Sequence, residues 1–302
     1  MSKLSTAIRL IRSDKALFWA SMLENFNFLF SDQLYLKLLF RLKMGYKLNL
    51  KNPKLFSEKI QWLKLHNRDP LYSKLVDKYA VKQYVSEKIG REHIIPTLGI
   101  WRNANEIDFK KLPNQFVLKT TNGGGGNVVI CNEKNFFSEK GAVAFLNKCL
   151  KKNIYATSKE WPYKNVPSRI IAEKYMEDES GELNDYKFFC FNGEPHFCQV
   201  IRNRFVKETI DFYDLNWNHL PFVGLNPIAE NGKTPVARPI CLSSMVHASK
   251  VLAKGMPFVR IDYYVIGGQF FFGEMTFYPA SGFGYFRPDE WNAKLGDLLN
   301  FF

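Results

Sequence analysis

The sequence lacks the patterns that mark a zinc knuckle, a disulfide scaffold or a membrane span. Its five cysteines form no Cys-x-x-Cys pair and are odd in number, so we expect reduced thiols. The apolar run at 16–23 ends at Glu24, and a bilayer crossing needs ~20 apolar residues. We therefore expect an amphipathic helix there rather than a signal peptide, with its apolar face against either protein or lipid headgroups.

Acidic residues are also scarce, since 29 Asp and Glu face 42 Lys and Arg and give a formal charge of +13. The imbalance is concentrated in residues 1–82, which hold 16 basic and 6 acidic residues. A basic region suits a nucleotide, a nucleic acid, an acidic glycan or an anionic membrane face, and composition alone does not choose among them. Because 46% of the residues are apolar and 16% aromatic, the chain is expected to be globular.

The hydrophobic period changes once along the chain, which predicts an α+β organisation with antiparallel sheets. Residues 1–92 read as a helical, basic region, including one helix over Leu71–Ile89 that starts after Asp69-Pro70 and ends at Gly90. From Ile94 onward, short apolar runs bounded by turn residues predict strands, several of them paired in hairpins. We divide the rest into a small lobe at 93–168 and a C-terminal lobe at 169–302. The predicted strands are Ile94–Trp101, Phe116–Thr120, Asn127–Cys131, Arg169–Met176, Tyr186–Phe191, His196–Ile201, Thr209–Tyr213, Phe258–Tyr264 and Phe270–Thr276.

A glycine cluster lies between two of these strands, within 116–130. The first strand carries Lys119, and the cluster consists of Gly123, Gly124, Gly125 and Gly126. Glycine lets backbone N–H groups approach an anion, and lysine supplies a point charge for phosphate. The stretch is neither a Walker A loop nor a dinucleotide fingerprint, because no helix follows the glycines. The alternative interpretation is a mobile hairpin tip.

A second constellation combines charged residues with two aromatic strands. Arg260 and Asp262 share one face of a strand, and Glu274 and Thr276 share one face of the next. Two carboxylates on adjacent strands can hold Mg²⁺, whereas the alternative is a structural ion pair with Arg260. A strict two-residue turn at Gly267-Gly268 would offset the two acids by one position, and a three-residue loop would set them opposite each other.

Taken in order, these motifs resemble the ATP-grasp superfamily and, in detail, its TupA-like branch of bacterial surface-polysaccharide and teichuronopeptide gene clusters. The resemblance covers about residues 50–300. It implies phosphate contacts from Lys78, Lys119 and the glycines, an adenine-binding segment, an acid near the ribose or the metal, and a Mg²⁺ site. The adenine segment would be Glu173, Lys174, Tyr175 and Met176, the acid Asp185, and the metal ligands Asp262, Glu274 and Thr276. Thr276 stands where the superfamily commonly has Asn, so its part in the ligand set is open.

The resemblance further implies a ligase that uses ATP and Mg²⁺ to join a carboxylate to an amine through an acylphosphate. The expected reduced thiols indicate a cytoplasmic protein. Arg260 would stabilise the acylphosphate oxyanion, and Lys187 would either assist it or be an ordinary surface lysine. The expected partners are an anionic sugar or polysaccharide precursor, such as a uronic acid, and an amino acid or small amine. The basic N-terminal region could contact the inner face of the membrane peripherally.

Two other functions compete with the ligase. A glycosyltransferase of polysaccharide biosynthesis is one, although the chain has no metal-binding Asp-x-Asp after a strand. A non-catalytic nucleotide or nucleic-acid binding protein is the other. No recognised RNA or DNA motif is present, so we expect no nucleic-acid partner.

Overall fold

The computed structural model describes residues 15–178, 183–203 and 207–300, which form nine α-helices and twelve strands in three sheets. The helices are α1 (15–25), α2 (Asp32–Met44), α3 (Phe56–His66), α4 (Leu71–Val76), α5 (Ala80–Ile89), α6 (Glu139–Leu150), α7 (Ile154–Ser158), α8 (Leu242–Ala253) and α9 (Glu290–Leu298). The strands are β1 (Thr97–Trp101), β2 (Phe116–Thr120), β3 (Val128–Cys131), β4 (Ile170–Lys174), β5 (Asp185–Phe191), β6 (Glu194–Arg202), β7 (Thr209–Asp214), β8 (His219–Leu220), β9 (Val223–Gly224), β10 (Phe258–Ile266), β11 (Gln269–Thr276) and β12 (Phe286–Arg287). The predicted α+β class with antiparallel sheets is confirmed. Within the described ranges, no helix is long and apolar enough to cross a membrane.

The smaller of the two main sheets has the strand order β1-β4-β2-β3, with every neighbour antiparallel. One face packs Leu118 and Ala172 against Leu146 of α6 in a separate core. The other face carries Lys119 and Glu173. Because β4 hydrogen-bonds to both β1 and β2, it belongs to this sheet, although the boundary predicted at 168/169 assigned it to the C-terminal lobe.

The larger sheet has the order β11-β10-β5-β6-β7-β8, again antiparallel throughout. Helix α8 covers one face. There the Ser249 hydroxyl donates a hydrogen bond to the Tyr263 hydroxyl at 3.2 Å. At one end of the opposite face, the Phe191 and Phe258 rings pack against Phe56 of α3. The other end of that face is polar, and it forms the candidate site.

Helix α2 begins and ends at residues that commonly mark helix termini. Ser31 caps α2 by accepting from the Leu34 N–H at 3.4 Å, and Gly45 ends the helix in the left-handed region with φ 82°. Core packing, however, does not account for the apolar run in α1, since Ala20 is buried while Phe18 and Trp19 are more than half exposed. Residues 1–14 of the predicted helical region lie outside the described residues.

The single helix predicted over Leu71–Ile89 is wrong, because the structure divides it into α4 and α5 around 77–79. The buried Asp77 carboxylate accepts hydrogen bonds from the Tyr79 and Ala80 N–H groups and pairs with Arg169 at 2.5 Å. A side chain that satisfies the first N–H groups of a helix favours a helix start at that point. The break turns Lys78 out of the helix and toward the site.

Helix α9 approaches α3 so closely that only glycine fits at the contact. A Cβ atom on Gly296 would overlap the backbone carbonyl of Lys54 and lie 3.0 Å from the Phe56 nitrogen. The Lys59 ammonium reinforces this contact by donating to the Gly296 and Leu299 carbonyls at 2.8 Å each.

We predict that Gly296→Ala lowers the free energy of unfolding by about 1–3 kcal/mol, because overpacking forces the backbone apart. Urea unfolding followed by circular dichroism measures this. Gly125→Ala is the matched control, because no heavy atom lies within 4 Å of a Cβ there. Equal stability of the two variants would contradict the close contact between α3 and α9.

Candidate active site

Strand register places two carboxylates directly opposite each other on β10 and β11. The hairpin turn has only two residues, with Ile266 paired to Gln269, which would offset the acids. A bulge between Tyr263 and Asp262 takes up Gly273 as an extra residue, so that Asp262 pairs with Glu274. Of the two turn lengths considered, the structure has the two-residue turn, and the bulge rather than a longer loop sets the acids opposite each other.

Glycine is needed in this bulge because a Cβ on Gly273 would lie 3.1 Å from the Asp262 carbonyl oxygen and 3.3 Å from the Tyr264 ring. The neighbouring backbone would have to shift to admit any side chain. The bulge therefore fixes the position of both acids through local packing of the strands.

Asp262 is buried between two cations. The Arg260 guanidinium donates to both of its carboxylate oxygens at 2.7 Å, and the Lys187 ammonium also donates to it. Lys187 donates a second hydrogen bond to Asp185 at 3.0 Å. Because Lys187 is only 4% exposed, the surface-lysine interpretation is wrong.

Glu274 lies at the cleft end of the same network and connects it to the other sheet. Its carboxylate is 3.5 Å from Arg260, 3.4 Å from the Thr276 hydroxyl and 3.1 Å from the Lys78 ammonium. Lys78 also donates to the Gly123 carbonyl at 2.8 Å. Burial alone would raise the pKa of Glu274, but Lys78, Lys187 and Arg260 hold it far below its usual range, so this acid is ionised at neutral pH.

A second charged cluster lies on the facing sheet. Glu173 is bridged by Lys82 at 2.5 Å and by Lys119 at 2.8 Å. Burial opposes ionisation of this carboxyl group, yet the two lysines outweigh it and lower the pKa of Glu173 to about 2. Burial alone would lower the pKa of Lys119, but attraction to Glu173 outweighs this effect and raises the pKa above its usual value. Both lysine charges are thus held at the cleft without a bound anion.

The glycine segment at 123–126 leads from this cluster over the cleft. Added Cβ atoms on Gly125 and Gly126 would meet nothing within 4 Å, so the backbone there can be approached closely. At its base, Thr120 Oγ1 and Asn122 Oδ1 are buried with no hydrogen-bond partner in the part of the chain that the structure describes. The Thr120 hydroxyl can donate to a phosphate oxygen, and together with the open glycines and the lysines it fits a phosphate-bearing ligand, whereas Asn122 Oδ1 can only accept.

The predicted adenine segment, residues 173–176, lies at the end of β4 and just beyond it, and β4 pairs with the strand that carries Lys119. Its four side chains lie in different environments. The carboxylate of Glu173 faces the two lysines, while the Lys174 N–H donates to the Pro96 carbonyl at 3.0 Å and its side chain is exposed. Tyr175 and Met176 are half-buried just beyond the strand. Asp185 is buried and pairs across the strands with Tyr264.

The Asp262 and Glu274 carboxylates can be compared with the ligands that Mg²⁺ prefers in proteins. Mg²⁺ usually takes one or two protein carboxylates and keeps its other positions for water and phosphate. Asp262 and Glu274 supply two oxygen donors, with the Thr276 hydroxyl beside Glu274. Among the described residues, no group of three or more His, Cys, Asp or Glu side chains could hold a metal, so phosphate would have to complete the coordination. The residues fit Mg²⁺ if the ion displaces Arg260 or Lys187 from the Asp262 oxygens, since both oxygens accept hydrogen bonds from these cations in this structure.

Three residues at the site escaped the sequence analysis. Tyr264 lies two positions after Asp262 on the same face, so strand alternation could have identified it. Gln199 is the cross-strand neighbour of Lys187, is 2% exposed and has an unpartnered Oε1 within the described ranges. Lys82 lies on α5, and no local pattern marks it, because its ion pair with Glu173 joins elements that are distant in the sequence.

Two antiparallel sheets whose facing surfaces carry phosphate-directed lysines, a glycine loop and paired acids define an ATP-grasp fold. The family model described as TupA-like ATPgrasp matches residues 58–300. The chain therefore belongs to the TupA-like ATP-grasp family. A comparison with curated proteins gave no significant match.

Several solved structures show a distant likeness. D-alanine–D-alanine ligase from Helicobacter pylori is 15% identical with a TM-score of 0.41, and the match covers 81% of this chain and 69% of that one. The Bacillus anthracis ligase complexed with ATP is 15% identical with a TM-score of 0.38, covering 67% and 53%. N5-carboxyaminoimidazole synthase from Aspergillus clavatus, in complex with ADP and a ribonucleotide, is 11% identical with a TM-score of 0.39, covering 68% and 45%. This chain thus spans about half of the Bacillus anthracis ligase in its ATP complex.

We predict that Glu173→Gln changes the pH dependence of stability. Since folding lowers the pKa of this acid from 4.5 to about 2, the ionised form contributes stability above pH 4.5 that is lost as the pH falls toward 2. The wild-type advantage over the variant should shrink by about 3 kcal/mol across that window. Urea unfolding at stepped pH measures it.

The matched control is Glu194→Gln, at an exposed acid whose partner is Lys250. Its stability difference from the wild type should stay nearly constant over the same range, because exposed ion pairs are worth little. A pH-independent gap for Glu173→Gln would show that the two lysines do not hold its charge.

Proposed function

We propose that this protein is an ATP-dependent carboxylate–amine ligase that forms an amide through an acylphosphate. The observation that carries the proposal is the direct pairing of Asp262 with Glu274, together with Lys78, which joins Glu274 to the glycine loop. This arrangement brings a candidate metal site and a candidate phosphate site within one ion pair of each other.

The cations have separate tasks in this proposal. Lys119 and Lys78 bind the nucleotide phosphates together. Lys119 lies on β2, and the Lys78 N–H donates to the Thr121 carbonyl just beyond that strand at 3.3 Å. Arg260 stabilises the oxyanion of the acylphosphate, because its planar guanidinium can donate two hydrogen bonds at once. Lys187 holds Asp262 and Asp185 in place from within the sheet.

Phosphoryl transfer to a carboxylate depends mainly on positioning and charge stabilisation. Mg²⁺ held by Asp262 and Glu274, with Thr276 at its edge, would neutralise charge on the transferring phosphate. The side chains of this network are already fixed by ion pairs, so little reorganisation is needed when charge develops. The open glycine segment would close over the phosphates and exclude water from a hydrolysable intermediate.

For the substrates we propose a uronic acid of a surface polysaccharide or its precursor as the carboxylate and an amino acid or small amine as the nucleophile. The support for this class is the resemblance to the TupA-like family and the basic charge of residues 1–82. We place the protein in the cytoplasm, where ATP is available and where the five buried thiols would stay reduced.

The direct test measures Mg²⁺-dependent ADP release against a matrix of uronic acids or their nucleotide sugars and free amines, with mass spectrometry of the products. ADP that forms only when acid and amine are both present, with a product lighter than their sum by one water, is the expected result. Sugar transfer without ADP formation would overturn the ligase in favour of a glycosyltransferase.

We predict that Glu274→Gln and Asp262→Asn each lower ATP turnover by about 100-fold or more, because each removes a carboxylate that would hold Mg²⁺ against the transferring phosphate. Steady-state ADP release measures this, and circular dichroism checks the fold. Glu194→Gln removes an exposed acid on the larger sheet and should retain full activity. Full activity in both site variants would contradict the assigned metal ligands.

A further inference from the structure

Exposed apolar side chains are concentrated at the N-terminal end of the described chain. Nineteen large apolar residues are exposed in the described ranges, and nine of them fall within 17–38. The nine are Leu17, Phe18, Trp19, Met22, Phe26, Phe28, Leu29, Leu34 and Leu38. Isolated exposed apolar residues are ordinary, but a cluster of this kind marks an interaction surface. We call these nine residues the apolar surface.

The geometry of α1 separates an inner side from an outer side. Ala20 is buried against the α2 core, and Leu23 packs on the same cluster. Phe18, Met22 and Phe26 follow one another at four-residue spacing on the side away from Ala20, as a helical period requires. The Phe18 and Trp19 rings touch edge to face at 5.5 Å, so the exposed aromatics form a continuous pair.

Charge on the neighbouring helix is basic where it is exposed. Lys37 and Arg41 share the outer face of α2 with Leu34 and Leu38, at spacings of three, four and seven residues. Neither cation has an ion-pair partner among the residues that the structure describes. The acids of this region are already engaged within the chain, since Glu24 pairs with Lys43 at 2.8 Å.

Asp32, the other acid, is drawn inward. It pairs with Arg68 at 3.3 Å and accepts a hydrogen bond from the Tyr155 hydroxyl at 2.8 Å. Lys159 lies 3.6 Å from the same carboxylate. The region thus presents aromatic and aliphatic groups bordered by uncompensated positive charge.

We infer that the apolar surface, with Lys37 and Arg41, inserts into the headgroup region of an anionic phospholipid bilayer. Amphipathic segments with Phe, Trp and Leu on one side and basic residues beside them lie in this interface, where apolar burial and attraction to anionic lipid act together. A second copy of the chain fits less well, because a twofold contact brings the same basic face against itself. This inference does not depend on the ligase proposal.

The test is co-sedimentation of the full chain with vesicles of equimolar phosphatidylglycerol and phosphatidylcholine, compared with vesicles of phosphatidylcholine alone. Wild-type protein should bind the anionic vesicles. High salt should weaken this binding, because salt screens the electrostatic attraction to anionic lipid. Lys37→Gln/Arg41→Gln should weaken the partition by about twenty-five-fold, from ~1 kcal/mol per basic residue. Lys110→Gln/Lys148→Gln, two exposed lysines elsewhere, should change it little.

A second variant pair isolates the apolar part. Phe18→Ser/Trp19→Ser/Phe28→Ser should abolish vesicle binding, while Phe136→Ser/Ile228→Ser/Ile240→Ser should leave it unchanged. The control residues are 85%, 85% and 94% exposed, against 58%, 59% and 74% in the test set, so neither variant removes core packing. Thermal unfolding confirms that both sets fold.

Two results would overturn the inference. The first is equal loss of vesicle binding in the test and control variants, which would make the effect nonspecific. The second is absence of binding to anionic vesicles together with self-association in sedimentation velocity that the Phe18→Ser/Trp19→Ser/Phe28→Ser variant relieves. That outcome would assign the apolar surface to a second copy of the chain.

Discussion

The ion pair between Lys78 and Glu274 is the contact on which the site depends. Lys78 stands in the break between α4 and α5, and its ammonium reaches both the glycine loop and the larger sheet. The lysines Lys82 and Lys119 face the smaller sheet's Glu173, whereas the paired acids Asp262 and Glu274 lie on the larger sheet. A charge-assisted link across the cleft therefore sets the spacing of the two halves before any ligand is bound.

The charged side chains of the cleft form ion pairs with one another. Asp262 neutralises Arg260 and Lys187, and Glu173 neutralises Lys82 and Lys119. Burying any one of these groups without its partner would cost several kcal/mol. The pairing keeps cations at the cleft in the free protein. Because these contacts join five cations to four carboxylates, one positive charge is left over, and a nucleotide phosphate would be attracted to it.

Sequence predicted the elements well and their long-range pairing less well. Apolar runs and turn residues located the strands on either side of the glycine loop, because those signals are local. The break at 77–79 was missed, since it arises from the ion pair between Asp77 and Arg169, 92 residues apart. Register near Asp262 was left open for a similar reason. Turn length alone predicts an offset, and the bulge at Gly273 that cancels it is visible only in the paired strands.

The two sides of the site differ in how strongly side chains hold the backbone. After Thr276, the turn at Pro279–Gly282 holds Ala280 and Ser281 at φ 47° and 54°, a conformation that needs support. The fully buried Lys64 provides it by donating to the Ser281 and Ser158 carbonyls at 2.8 Å each, although burial lowers the pKa of Lys64 to about 7. The glycine loop opposite has no such clamp over Gly125 and Gly126. Acids supported from below and faced by an open glycine loop suit a site that must keep its charges in place while a ligand enters.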